Sequence, residues 1–318
     1  MPVRRLIVNA DDFGLTLGVN QAIAEGHSRG IITSSTLMAN GRAFDNAVRF
    51  AHDLPNLSVG CHAVLVDGAP VARPEQVRCL LAPVGKEVLP FEPIRSGSVR
   101  AVAATAGGKR RFYDGFGQVA MLSLRGKLNK AQIANEVAAQ IEKIQHAGIQ
   151  VSHVDAHKHL HMLPDVAEGI MAGAHETGVR KIRNPFVPLR PIVMAQVMRR
   201  PRLWPRYSEV TLLRSYYHGF KSRLKHYGMT TPDGSFGVVV TGALDMDMFK
   251  VVMGCVPDGT WEFVCHPGYV DEELSHVRTR LRDSREKELK VLTSPDAKQI
   301  LADHKIELIS YGELAAND

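Results

Sequence analysis

Carboxylates and imidazoles cluster along this 318-residue chain in a way that suggests chemistry. LIVNADDFG, Leu6 to Gly14, runs three large apolar residues into the adjacent pair Asp11 and Asp12. Neighbouring carboxylates repel unless a cation, a shared proton or water separates them. His62 lies in SVGCHAVL, His266 closes WEFVCHPG, and HVDAHKHLH sets His153, Asp155, His157, His159 and His161 at every second position. On an extended strand all five project to one face. Burying them unpaired costs several kcal/mol, an objection that a bound metal ion removes. One carboxylate with two imidazoles leaves positions open for water and substrate, as in hydrolytic rather than structural sites. A helix would instead pair His157 with His161 at the spacing metalloproteases use, but HKHLH lacks their glutamate after the first histidine. The β-branched start and Pro164 favour the strand. Each group also has an ordinary use: His62 as a hydrogen-bonded core histidine, Asp11 as a cap or turn residue, His266 as a turn former before Pro267.

The surrounding pattern supplies elements to hold these groups. Leu6 to Ala10 has the composition of a buried strand, and LGVNQAIAEGHSRGII after it has helical spacing that closes near Gly30. ITSSTLMAN predicts a second strand, RAFDNAVRFAHDL an amphipathic helix, and LSVGCHAVL a third strand. Strands alternating with helices argue for a parallel sheet or barrel, in which ligands gather at the carboxyl ends of strands. A Pro- and Gly-rich stretch, Gly68 to Gly117, has little periodicity. NKAQIANEVAAQIEKIQHAG then carries Ile133, Val137, Ile141 and Ile144 on one stripe and ends at Gly148. QVSHVDAHKHLHM is expected as a strand, followed by a helix through Ala174, a short strand at VRKIRNP, a late strand at TWEFVCHPGY and a last one at IELISYGEL.

With 45% hydrophobic residues the chain can bury a sizeable core. Its net charge of +6 favours an anionic partner, and the excess is local. Between Arg190 and His226 nine Lys or Arg residues face the single acid Glu209, interleaved with Trp204, Tyr207, Tyr216, Tyr217 and Phe220. This segment has the character of an insertion, either a solvated helical excursion or a face that meets lipid headgroups or nucleic acid. No RNP, helix-turn-helix or zinc-finger signature supports nucleic acid. Cys61, Cys79, Cys255 and Cys265 have no paired spacing and are expected as reduced thiols of a cytoplasmic protein. The first apolar run is too short for a signal sequence, and no run approaches the length of a membrane span.

LIVNADDFGLTLGVNQAI, GIITSSTLMANG, GCHAVL, HVDAHKHLHMLP and CHPGY stand in the order and at the spacing of the YdjC-like carbohydrate deacetylases, a family that includes chitooligosaccharide deacetylases. The resemblance covers Arg4 to about Pro164 and Trp261 to Leu314. Within the family the chain looks most like the hopanoid-biosynthesis-associated members, which carry an Arg- and aromatic-rich middle section and a segment similar to MTTPDGSFGVVVTGAL. The resemblance implies one domain over 1–318 with the basic insertion at about 190–235, and an irregular (β/α) barrel related to polysaccharide deacetylases. It implies one divalent metal ion, zinc or magnesium, on Asp12, His62 and His157. Asp11 then matches the general base and His266 the general acid. Asp155 is left to hold an imidazole in one tautomer, and His159 and His161 to orient ligands or line the pocket. The activity implied is deacetylation of an N-acetylhexosamine on a hopanoid lipid; because such a substrate is presented at a bilayer, the basic segment is expected to dock the cytoplasmic enzyme peripherally on the inner face of an anionic membrane. A soluble chitooligosaccharide deacetylase and a non-catalytic membrane- or glycan-binding protein are the alternatives. The chain departs from relatives at Ala63 and Asp67 after the first ligand histidine, and at Lys158 after the second.

Overall fold

The computed structural model describes residues 3–83, 110–187, 204, 211, 213–238 and 240–315. Its core is a parallel sheet of seven strands among the described residues: β1 (Arg4–Phe13), β2 (Ser34–Leu37), β3 (Ser58–Ala63), β4 (Val154–Ala156), β5 (Gly234–Phe236), β6 (Gly259–Cys265) and β7 (Ile306–Ile309). The order is β4-β3-β2-β1-β6-β5, with β7 also on β1. β6 runs along β1 from Arg4 to Ala10, so β7, paired at Arg4 to Ile7, and β2, paired from Asn9 onward, share the opposite edge. The predicted short strand around VRKIRNP is a pair of bridges, Val154 to Ile182 and Lys181 to Thr230. Their hydrogen bonds, with Ser235 N donating to Phe186 O, carry the sheet from β4 through residues 180–186 to β5. The ring so formed is the irregular (β/α) barrel expected from the sequence.

Helices α1 (Leu17–Ser28), α2 (Phe44–Asp53), α3 (Gly115–Leu124), α4 (Lys130–His146) and α5 (Pro164–Glu176) cover the first half of the barrel. The stripe Ile133, Val137, Ile141 and Ile144 on α4 is fully buried, and Gly148 ends that segment at φ 82°. α4 and α5 approach so closely that a Cβ on Gly169 would lie 2.6 Å from the Ile133 Cβ. The second half brings α6 (Tyr217–Tyr227), α7 (Met246–Gly254), α8 (Asp283–Leu292) and α9 (Pro295–Asp303), with one helical turn at Glu272–Ser275. Little periodicity announces α3, and only Val119 of its ten residues is buried.

Much of the basic segment, including Arg190, Arg199, Arg200, Arg202, Arg206, Tyr207 and Glu209, lies outside the described residues. Where it is described again, α6 buries Phe220 and Leu224, and Thr230 and β5 belong to the barrel wall. Cys61 and Cys265 are core thiols, pushed up in pKa by burial. No helix among the described residues is long and apolar enough to cross a membrane.

One core carboxylate sets a testable pH response. Glu136 on α4 accepts from Val71 N at 2.9 Å, Ala72 N at 3.1 Å and Gln140 Nε2 at 2.8 Å, and so anchors the loop that leaves β3. Burial outweighs these bonds and pushes its pKa up to about 7. A carboxyl raised on folding stabilises the native state below its unfolded pKa, and that contribution is lost as pH rises through the folded value. Stability should therefore fall between about pH 4.5 and 7, by order of 3 kcal/mol from this group. Urea unfolding should show that slope flattened in Glu136→Gln.

Candidate active site

Two adjacent strand residues normally point to opposite faces. At the end of β1 the pairing register slips between Ala10 and Phe13, and Asp12 adopts φ 70°, a left-handed conformation that Asp tolerates better than most side chains. The bulge thereby turns both Asp11 and Asp12 into one buried site. β3 delivers His62 and β4 delivers Asp155. His157 follows β4, and His266 follows β6. All lie at the carboxyl ends of the strands.

The predicted five-residue face does not form, because β4 ends at Ala156. Residues His157–Met162 make a tight helical turn in which Lys158 and His159 both have positive φ, 55° and 53°. Asp155 and His157 enter the cluster. His153 instead stacks on Tyr311 at 3.5 Å, and burial drives its pKa down. His161 is buried with both ring nitrogens unpartnered, its pKa also depressed by burial, while its ring lies 6.1 Å from that of His159. The two departures Lys158 and Asp67 form an ion pair with each other, joining the loops after β3 and β4.

Asp12 Oδ1 lies 3.3 Å from His157 Nδ1 and 3.6 Å from His62 Nε2. The two imidazole nitrogens are 3.2 Å apart, a contact that requires a proton or a cation between their lone pairs. Asp12, His62 and His157 each offer a donor atom within 4.8 Å of the others. One carboxylate and two imidazoles suit a divalent ion such as zinc, magnesium, manganese or cobalt, with only modest preference among them. Asp155 Oδ1 holds His62 Nδ1 at 2.6 Å, which leaves Nε2 for the site. Burial pushes His62 down in pKa, but Asp155, Asp11 and Asp12 outweigh it and hold the imidazole at about 9.

Beneath this cluster lies Arg183, fully buried on the closing segment. It donates to both oxygens of Asp11 at 2.9 and 2.6 Å, sits 2.5 Å from Asp155 Oδ2 and donates to Glu262 Oε1 at 2.9 Å. Burial raises the Asp11 carboxyl, yet Arg183 and the neighbouring imidazoles hold it far below the usual range. Glu262 fares differently: burial pushes it up to about 7 despite Arg183 and the Tyr311 hydroxyl at 2.7 Å. His266 Nε2 is 3.7 Å from Asp11 Oδ2, and Glu288 Oε2 fixes its backbone N–H at 2.6 Å. The loop after His266 is tied to α1 by Asp271 Oδ2 on Gly18 N at 2.7 Å and Glu273 Oε2 on Leu17 N at 3.1 Å.

Sequence reasoning missed Arg183, Glu262, Arg285 and Glu288. The last two are buried on α8, where six charged residues among ten give the look of a solvated helix. A signal for Arg183 exists in its place just before Asn184 and Pro185, at the carboxyl end of the bridged segment.

The chain as a whole resembles known proteins. Residues 5–303 match the model of YdjC-like proteins. The carbohydrate deacetylase of Brevibacillus brevis is 30% identical over 98% of this chain and 99% of its own length. That of Geobacillus stearothermophilus is 30% identical over 98% of each chain. A crystal structure from Enterococcus faecalis, provisionally described as a cellobiose-phosphate cleavage protein, shares the fold with a TM-score of 0.70 at 24% identity, covering 98% of this chain and 99% of that one. The chain belongs to the YdjC-like family.

Arg183→Met should leave three buried carboxylates without their common counter-charge. A loss of about 3–5 kcal/mol is expected in urea unfolding. A change below 1 kcal/mol would show that the guanidinium is not the counter-ion the barrel depends on.

Proposed function

We propose that this chain is a metal-dependent carbohydrate deacetylase that hydrolyses the acetamide of an N-acetylhexosamine, carried on a hopanoid lipid, to acetate and a free amino sugar. The observation that carries the reading is the convergence of Asp12 Oδ1, His62 Nε2 and His157 Nδ1 beside an ionised Asp11. Family membership and the activity named for the curated relatives support the deacetylase assignment. The hopanoid-linked substrate rests on the likeness of the middle of the sequence to hopanoid-associated members. Docking on an anionic membrane rests on the basic segment, of whose aromatic residues Trp204 is 47% exposed.

Asp12, His62 and His157 would hold the ion, which when bound polarises the acetamide carbonyl and lowers the pKa of a water. Asp11 accepts the proton of the attacking water. Held by Arg183, it is a carboxylate at any working pH, though a weaker base for that grip. Arg183 also pairs with Asp155 and Glu262, so the guanidinium keeps partners when Asp11 takes up a proton. His266, which faces the second Asp11 oxygen, donates a proton to the leaving nitrogen. Asp155 keeps the His62 ring in one tautomer throughout.

Asp12→Asn preserves the left-handed backbone and should lose both metal and turnover. Asp11→Asn should retain metal and lose about 10²-fold or more in kcat. Metal content and acetate release check both; near-normal turnover in Asp11→Asn would assign the base to another residue.

Substrate choice is settled by acetate release from an N-acetylglucosaminyl lipid in anionic vesicles and from di-N-acetylchitobiose. The lipid should be preferred, and replacing Arg199, Arg200, Arg202 and Arg206 by Ser should slow only that reaction. Preference for chitobiose would replace the lipid reading with a soluble oligosaccharide. A metal-loaded chain that releases acetate from neither would contradict deacetylation of these substrates.

A further inference from the structure

The two oxygens of Asp12 have different neighbours. Oδ1 faces the two imidazoles, while Oδ2 accepts from Arg285 Nη2 at 2.5 Å. Arg285 comes from α8, far along the chain, and is 1% exposed. Its orientation is fixed from two directions, because Nε also donates to Leu281 O at 3.0 Å. Nη1 is buried and makes no hydrogen bond. An interior N–H left unpaired is costly, so this side chain is placed for its bond to Asp12 rather than for its own satisfaction. One turn further along α8, Glu288 holds the backbone N–H of His266. A single helix thus grips both sides of the site.

We propose that Arg285 is a positioning residue that makes Asp12 a one-oxygen metal ligand. By occupying Oδ2 it prevents the carboxylate from closing on an ion with both oxygens, which keeps a coordination position open for water or the acetamide carbonyl. This rests on the metal-dependent reading above. Sites that activate water need such open positions, and partners of a ligand's far atom fix how the ligand is presented.

The test uses the full chain loaded with cobalt(II), whose visible absorption reports coordination number, together with a crystal structure of the metal-loaded wild type. The wild type should show Asp12 on the ion through Oδ1 alone with Arg285 on Oδ2. In Arg285→Met, metal should be retained, the cobalt bands should weaken as a second Asp12 oxygen closes on the ion, and kcat should fall about 10- to 100-fold with little change in KM. Arg285→Lys restores a cationic donor and should recover much of the wild-type spectrum and rate. Both Asp12 oxygens on the ion in the wild type would overturn the proposal, whether or not the variants fold. So would an unchanged spectrum and kcat in Arg285→Met, or equal loss of metal and thermal stability in the Met and Lys variants, which would mark a brace for the fold alone. A wild-type chain that takes up no divalent ion fails at the earlier step and sinks the metal-dependent reading itself.

Discussion

The buried guanidinium of Arg183 is the contact on which the barrel and the site both depend. Removing such a charge from water is costly, and three carboxylates from three strands offset that cost: Asp11 from β1, Asp155 from β4 and Glu262 from β6. Because Arg183 sits on the segment that joins β4 to β5, these bonds fasten the closing wall of the ring to strands across it. The negative charge exceeds the positive in this cluster. Glu262, with its pKa near 7, is the member best suited to relieve the imbalance by taking a proton.

From this interaction follows the arrangement above it. Asp155 is held on one oxygen by Arg183 and on the other by His62, so the imidazole can present only Nε2 to the site. Asp11 is committed to Arg183 through both oxygens, which leaves Asp12 as the carboxylate free to face His62 and His157. The adjacent pair that would repel on a regular strand is thus separated in function by two arginines. Arg183, on the segment between β4 and β5, compensates Asp11, and Arg285, on α8, compensates Asp12.

The sequence made the strand ends legible where local chemistry was unusual. An apolar run ending in Asp11 and Asp12, and single histidines at the ends of β3 and β6, needed no tertiary information to stand out. The alternation in HVDAHKHLH misled in one respect: it has the period of a strand, but the chain leaves the sheet at His157, where Lys158 and His159 turn into left-handed conformations, uncommon for any residue but glycine. The long-range partners were hidden for a different reason. Arg285 and Glu288 are buried only because the barrel's own carboxylate and backbone groups await them, so their role is written in the tertiary structure and not in the charged pattern of α8. Likewise α3 and β5 are short elements whose residues lack a strong period, and their placement is decided by what they pack against.

The central claim is that Asp12, His62 and His157 form a single metal centre above the Arg183 cluster. Anomalous diffraction from crystals soaked in zinc, collected on both sides of the absorption edge, tests it most directly. The account predicts one strong peak per chain, within bonding distance of Asp12 Oδ1, His62 Nε2 and His157 Nδ1, with Asp11 remaining on Arg183. A peak bound instead by Asp11 and Asp155 with Arg183 displaced, or no peak near these residues, would contradict it.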